Sequence, residues 1–351
     1  MMDDFSLEAY QYDLPEELIA QKPVSERDTS RLLALNRSTG SISHLSFTDF
    51  PKLLSPGDCL VLNDTKVFPA RLLGRKVTGG KVEIFLLHYP YIHDEYSGSA
   101  KALVKASKRL RPGQKILFNE NFWAVVEELS PKGEITIKLQ STNRSIVSTL
   151  EDFGRVPLPP YIRREPKAED KLRYQTIYAK EQGSVAAPTA GLHFTKKILE
   201  KIKKLGVKIC TITLHVGYGT FAPIRENDIR NHKIHSEWIQ ITQENADKIN
   251  STKQDGGRVI CVGTTSVRAV EFAANSHGHV REMEGECDLY ICPGYKFKIV
   301  DSILTNFHLP GSSLLVLVAA FAGRDTILKA YSEAISKGYR FYSYGDAMFI
   351  F

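Results

Sequence analysis

Between Thr65 and Leu150 the chain stops alternating between strand and helix patterns and reads as strands alone, which limits its possible folds more than any other feature. The runs ARLLGRKV, KVEIFLLHY, AKALVKA, KILFNE, FWAVVEEL and GEITIKL are short and are separated by the turn strings TGG, RPGQ and SPKG. That spacing predicts a small antiparallel β-barrel or sandwich. After it, TKKILEKIKKL places Ile198, Leu199, Ile202 and Leu205 on one helical face, Gly206 closes it, and the strand run VKICTITLHV follows. The alternation recurs in RVICVG before TTSVRAVEFAA and in KIVDSILTNF before SSLLVLVAAFAG, the mark of an α/β layer structure. RLLALN and CLVLND, which precede the strand-only segment, resemble the strands that follow it. The expected fold is therefore a mixed α/β main domain of residues 1–64 and 151–351, with residues 65–150 inserted as a basic β-barrel; no repeat or low-complexity tract interrupts it.

Charge divides at the same places. The segment 65–150 holds 14 Lys and Arg against 7 Asp and Glu, so it accounts for the whole net charge of +6 and the remainder is almost neutral. The run KALVKASKRLRPGQK has six basic residues and no acidic one. It reads either as a strand edge guarded by lysines or as a phosphate-tracking surface containing Lys105, Lys108, Arg109 and Arg111. Arg163 and Arg164, beside Tyr161 in PPYIRR, extend the second reading.

The composition, 42% hydrophobic and 25% charged, suits a chain with sizeable buried cores. The longest apolar run, Leu314 to Ala322, is about half the ~20 residues of a membrane helix. The start, MMDDFSLEAY, is acidic and lacks the apolar stretch of a secretory signal, so a cytoplasmic, non-membrane protein is expected. Its five cysteines form no CxxC pair, and Cys59, Cys210, Cys261, Cys287 and Cys292 all read as core thiols, with no disulfide or zinc site.

Six strings are poor core material: SVAAPTAGLHFT, LHVGYGTF, HKIHSEW, VGTTSVR, TNFHLPGSS and YSYGDAMF. Each ends an apolar strand-like run or precedes a helix, where ligands bind in open α/β sheets. In VGTTSVR a strand ends at Gly263, and Thr264, Thr265 or Ser266 caps the next helix, with Arg268 one turn in. This is either an ordinary cap or an anion site made by the helix start. The loop histidines His193, His215, His232 and His308 each read as satisfied structural groups or as catalysts. His232, His235 and Glu237 do not share one face of a strand or helix, so no metal site is expected. Gly217 and Gly219 after His215 allow close backbone approach, but no dinucleotide fingerprint is completed. Asp346 is either a turn former or a functional carboxylate.

The strings PVSERDTSRLL, NDTKVFPARL, PLPPYI, RYQTIYA, SVAAPTAGLHFT, LHVGYGTF, VGTTSVR, TNFHLPGSSLL and YRFYSYGDAM, in this order, resemble the S-adenosylmethionine:tRNA ribosyltransferase-isomerase family of queuosine biosynthesis. The resemblance covers nearly the whole chain, with small departures such as Lys66 where Arg is commoner. It implies one α/β domain with an inserted barrel, and a monomer. It also implies transfer of the ribosyl part of S-adenosylmethionine to the aminomethyl group of a 7-deazaguanine at the tRNA wobble position. Isomerisation gives epoxyqueuosine, with release of adenine and methionine; S-adenosylmethionine is a co-substrate and no cofactor is expected. Such a site needs a base for the acidic C–H beside the sulfonium and an acid for departing adenine. His193, His215, His308 and Asp346 are the candidates, without an assignment of base and acid. Phe194, Tyr218, Phe221 and Tyr344 are candidate faces for the cation, and Arg268 or the helix start for the methionine carboxylate. Thr189, Gly217, Gly219, Thr220, Thr264, Thr265, Ser266 and Asn306 complete the expected pocket, and the barrel is expected to hold the anticodon stem-loop. The rival readings are a non-enzymatic RNA binder and a metal-dependent hydrolase built on His232, His235 and Glu237.

Overall fold

The structure, a computed structural model, describes residues 3–130, 133–221 and 223–351, with Phe221 described in its backbone only. Its main sheet has nine strands. In spatial order they are Met283–Cys287, Glu237–Ile241, Lys208–Leu214, Cys59–Asn63, Val259–Val262, Ser302–Asn306, Ala347–Ile350, Arg31–Leu35 and Ile42–Ser46. The four strands from Lys208–Leu214 to Ser302–Asn306 are mutually parallel, and antiparallel strands flank them.

The two central ones, Cys59–Asn63 and Val259–Val262, carry the continuous apolar runs CLVL and VICV because both faces are covered. Period-two alternation then divides the side chains of the parallel strands. Val61, Cys261 and Ile303 face the helices Gln243–Gln254, Thr264–Ala273, Ser313–Ala322 and Arg324–Ser336, while Leu60, Leu62, Ile260, Val262 and Leu304 face Phe47, Phe50 and the helix Lys196–Lys204. That last helix starts at Thr195, whose hydroxyl accepts from the Ile198 amide, and buries Ile198 and Ile202. It ends at Lys204, so Leu205, expected on its buried face, stands exposed.

The interruption is a closed barrel. Six antiparallel strands, Arg71–Lys76, Lys81–Leu86, Ser97–Ala106, Lys115–Leu117, Phe122–Leu129 and Glu134–Ser141, pair in a ring that Glu134–Ser141 closes on Ser97–Ala106. Alternate residues, including Val82, Ile84, Phe122, Ala124, Ile135 and Ile137, fill its interior. Closure removes the unpaired edge that an open small sheet presents. The helix Ile146–Phe153 plugs one end with Ile146 and Leu150, and Val185 of the main domain joins the same core. Thr65–Val67, on the way in, pairs in parallel with Glu181–Ser184 on the way out.

No helix among the described residues is long and apolar enough to cross a membrane. Four cysteines are buried and free, as a core thiol should be, but Cys292 is partly exposed because the strand before it ends at Cys287.

Candidate active site

The carboxyl ends of Lys208–Leu214, Val259–Val262 and Ser302–Asn306 surround a cavity of about 290 Å³. Gly263, at φ 86°, turns the chain from strand into the helix Thr264–Ala273 in a conformation that a side chain would disfavour. No side chain among the described residues caps this helix. Thr264 and Thr265 instead line the cavity, and the Ser266 hydroxyl bonds back to the Val262 carbonyl at 2.8 Å. The first amides of the helix are thus left for a ligand.

Asn63, which the sequence reading did not single out, locks this corner. Its amide nitrogen donates to the Leu214 carbonyl at 3.0 Å and to Thr265 Oγ1 at 3.3 Å, while its oxygen accepts from the Leu214 and Thr65 amides. Two neighbouring strand ends and a helix start are held by one buried side chain. NDTKVFPARL contained it, but spacing alone gave no reason to prefer it.

The three expected catalytic histidines have three different surroundings. His308 lines the cavity. Its Nε2 is 2.8 Å from Thr305 Oγ1, and burial pushes its pKa down to about 3, so the ring is neutral at physiological pH. His193 lies behind the cavity wall, with Nδ1 2.7 Å from Ser30 Oγ and Nε2 3.2 Å from Asn306 Nδ2; burial, with Arg27 and Arg340 nearby, also pushes it down to about 3. Asn306 Nδ2 also lies 3.4 Å from the Asp346 carbonyl, an acceptor, and this fixes which end of the amide is nitrogen. His193 Nε2 is then the acceptor and Nδ1–H the donor, and Asn306 Oδ1 turns to Thr189 Oγ1 at 3.0 Å on the cavity side. His215 is half-buried outside the lining, stacked on Trp238 and bonded to Thr65 Oγ1 at 2.8 Å. Burial lowers its pKa as well.

Other expected residues lie elsewhere. Asp346 accepts from the Arg31 and Arg340 amides at 2.9 and 2.8 Å and fastens the turn before the last strand; burial raises its pKa. Phe194 packs in the core against Phe47 and Phe50, and Tyr344 is buried with its hydroxyl on Asp170, so neither presents a face to the cavity. The Phe221 side chain lies outside the described residues. Arg268 is not open to a carboxylate. It forms a buried pair with Glu237 and donates to the Leu289 and Cys287 carbonyls. Glu237 in turn accepts from the Gly217 amide at 2.9 Å and Thr220 Oγ1 at 2.7 Å, so the pair anchors the turn that carries Thr220 to the cavity. Tyr218 on that turn is exposed and edge-on to Phe85 of the barrel, and Gly219 fits beneath His235. With Glu237 engaged in this way, no group of three or more His, Cys, Asp or Glu among the described residues is arranged to hold a metal ion.

The aromatic faces of the cavity come instead from Tyr161 and Tyr342, whose rings lie 4.7 Å apart, and from Phe307. Tyr342 is the one non-glycine at positive φ among the described residues, at 70°, a strained conformation of the kind that gathers at functional sites. Tyr161 Oη bonds Ser343 Oγ at 2.6 Å. No Asp, Glu, Lys or Arg lines the cavity among the described residues.

On the barrel, Lys105, Lys108, Arg109 and Arg111 are exposed. Arg163 makes an exposed pair with Glu16, whereas Arg164 grips the fully buried Asp170 with two bonds at 2.6 and 2.8 Å.

An α/β sheet with a neutral cavity at its strand ends and an inserted basic barrel suits a transferase joining a small charged donor to a large polyanionic acceptor. A family model described as queuosine biosynthesis protein matches residues 7–350, and the chain belongs to that family. A relative from Desulfotalea psychrophila, named S-adenosylmethionine:tRNA ribosyltransferase-isomerase, is 49% identical over 99% of this chain and 98% of its own. One of the same name from Pelobacter propionicus is 51% identical over 97% and 98%. The crystal structure of S-adenosylmethionine tRNA ribosyltransferase from Thermotoga maritima superposes with a TM-score of 0.56 at 36% identity, covering 99% of this chain and 100% of that one.

Proposed function

We propose that the cavity activates the ribosyl group of S-adenosylmethionine for transfer to tRNA. The chain is an enzyme of queuosine biosynthesis, a ribosyltransferase-isomerase that builds epoxyqueuosine on the 7-aminomethyl-7-deazaguanine of the wobble position and releases adenine and methionine. The observation that carries the assignment of chemistry to this cavity is His308, a neutral imidazole in a lining without charged side chains among the described residues.

A sulfonium acidifies its neighbouring C–H bonds, and a base must be unprotonated to use that acidity. His308 meets this requirement because burial keeps it neutral. When it takes the proton, the sulfonium becomes a neutral ylide and the imidazole becomes a cation. The cavity therefore holds one positive charge before and after the step, and no net charge is newly buried. The faces of Tyr161 and Tyr342 attract that charge without a carboxylate. The uncapped helix start at Thr264 offers amides to the methionine carboxylate in the role the sequence suggested for Arg268. His193, locked as an acceptor, orients Asn306. No cofactor enters this scheme, the protein acts as a monomer, and its place is the cytoplasm, where tRNA is found.

Incubating the protein with S-adenosylmethionine and precursor tRNA tests the reading: the enzyme releases adenine and a mere RNA binder releases none. Activity that vanishes on chelation would favour the metal-dependent rival.

A further inference from the structure

The outer face of the barrel carries an arrangement that sheet energetics disfavours. Arg75 and Lys81 stand directly opposite each other on adjacent antiparallel strands, with both side chains exposed. Directly opposed like charges destabilise a sheet. Neither side chain makes a hydrogen bond or ion pair with another described residue, whereas Arg71, four residues before Arg75 on the same face, is held by Glu83 and Glu165. On the next strand Lys105 is exposed opposite Glu83. These cations rim an open groove of about 1310 Å³. Its lining includes apolar groups: Leu73 and Leu117 are 38% and 37% exposed, and Phe118, packed on the barrel core, lines it as well.

A chain of contacts runs from the groove toward the cavity. Lys81, Glu83 and Phe85 share the outer face of one strand, so Lys81 and Phe85 are about 13 Å apart along it. Phe85 meets Tyr218 with ring centres 5.2 Å apart, and Tyr218 lies on the turn that brings Thr220 into the cavity lining. A cationic rim around a lining that includes apolar and aromatic groups is the surface that suits unpaired nucleotides, with phosphates on the rim and bases on those groups.

We propose that this groove is the docking site for the anticodon loop of the tRNA, with Arg75, Lys81 and Lys105 on its phosphates and the path along Phe85 and Tyr218 delivering the wobble nucleotide to the cavity. The inference rests on the tRNA-modifying reading above and adds Arg75 and Lys81, which lie outside the basic run that the sequence makes conspicuous.

The test is the affinity of precursor tRNA across a salt series for wild type, Arg75→Gln/Lys81→Gln and Lys108→Gln/Arg109→Gln. The groove pair should reduce the slope of log affinity against log salt by about 1.4, making binding roughly 25-fold weaker at 0.1 M salt and converging with wild type near 1 M. Calorimetric binding of S-adenosylmethionine should be unchanged. An isolated anticodon stem-loop should compete for the groove, and a blunt RNA duplex of equal length should not. An unaltered slope in the groove pair overturns the inference, as does equal competition by the duplex or a fall confined to the Lys108/Arg109 pair. Adenine release by wild type, followed in parallel, separates the two levels: if it proceeds while the groove pair binds like wild type, only the groove assignment falls. If wild type neither binds tRNA nor releases adenine, both fall.

Discussion

The cavity and the barrel groove deal with charge in opposite ways. Among the described residues the cavity is lined by neutral groups drawn from loops far apart in the chain, and the His308 imidazole is held uncharged by burial. The groove is made by neighbouring hairpins, is open to solvent, and sets cations beside one another. The difference teaches which steps each can serve. A desolvated site amplifies the chemistry of a single group, because little competes with it. A solvated basic face recruits a polyanion at long range and lets go of it when salt rises.

The sharpest way to break that contrast is to remove the imidazole. His308→Ala should slow adenine release by about a hundredfold or more, the usual worth of a positioned general base, with tRNA affinity retained. A rate within a few-fold of wild type would remove His308 from the chemistry and leave the neutral cavity without a base.

A second test concerns the buried pair behind the cavity. Arg268→Ala leaves Glu237 as an unpaired buried carboxylate, which typically costs 3–5 kcal/mol. Urea unfolding should show that loss, and a change below about 1 kcal/mol would mean that water reaches the pair. Arg75→Gln and Lys81→Gln in the groove should leave stability unchanged or slightly raised by the same measurement, since they relieve like-charge repulsion.

Acid sharpens the contrast further. His193 and His308 are held near pKa 3 in the folded protein, against 6.5 for the ordinary side chain. Between those values the unfolded chain binds protons that the folded one refuses. Their stabilising effect is therefore fully present above pH 6.5 and is lost as pH falls toward 3, by up to about 1.4 kcal/mol per pH unit for each histidine. Denaturation midpoints at pH 7 and pH 5 should differ accordingly, and His308→Gln should lower the dependence by one proton. An unchanged dependence would show that His308 already titrates in the folded state.

The smallest expected effect tests the aromatic wall. Tyr161→Leu should weaken S-adenosylmethionine binding several-fold while changing the affinity of the neutral S-adenosylhomocysteine less, since only the former carries the cation that an aromatic face attracts. Equal losses for both would make Tyr161 a packing residue.

Much of this architecture was legible in one dimension because its causes are local. Turn strings and period-two alternation mark the barrel strands, and the apolar runs CLVL and VICV mark strands buried on both faces. The carboxyl-end strings converge because parallel strands with return helices bring their following loops to one end of the sheet. Thr189, Thr220, Thr264, Thr265, Asn306 and His308 accordingly meet in one lining. Tyr161 and Tyr342 lay inside conspicuous strings, but nothing nearby in sequence says which aromatic ring faces the cavity and which, like Phe194, enters the core.

By itself the sequence determined the alternation of strands and helices, the basic all-strand insertion and the end of the sheet where the candidate loops gather, since each follows from spacing, turn chemistry and local charge. Only the tertiary structure decided the part each histidine plays. His193, His215 and His308 all sit in loops rich in glycine, proline and threonine, and they are separated by Ser30, Thr65, Trp238 and Asn306, partners that lie far from at least one of them in the chain. A titratable group takes its protonation state and exposure from whatever packs around it, and packing joins residues without regard to their distance in the chain.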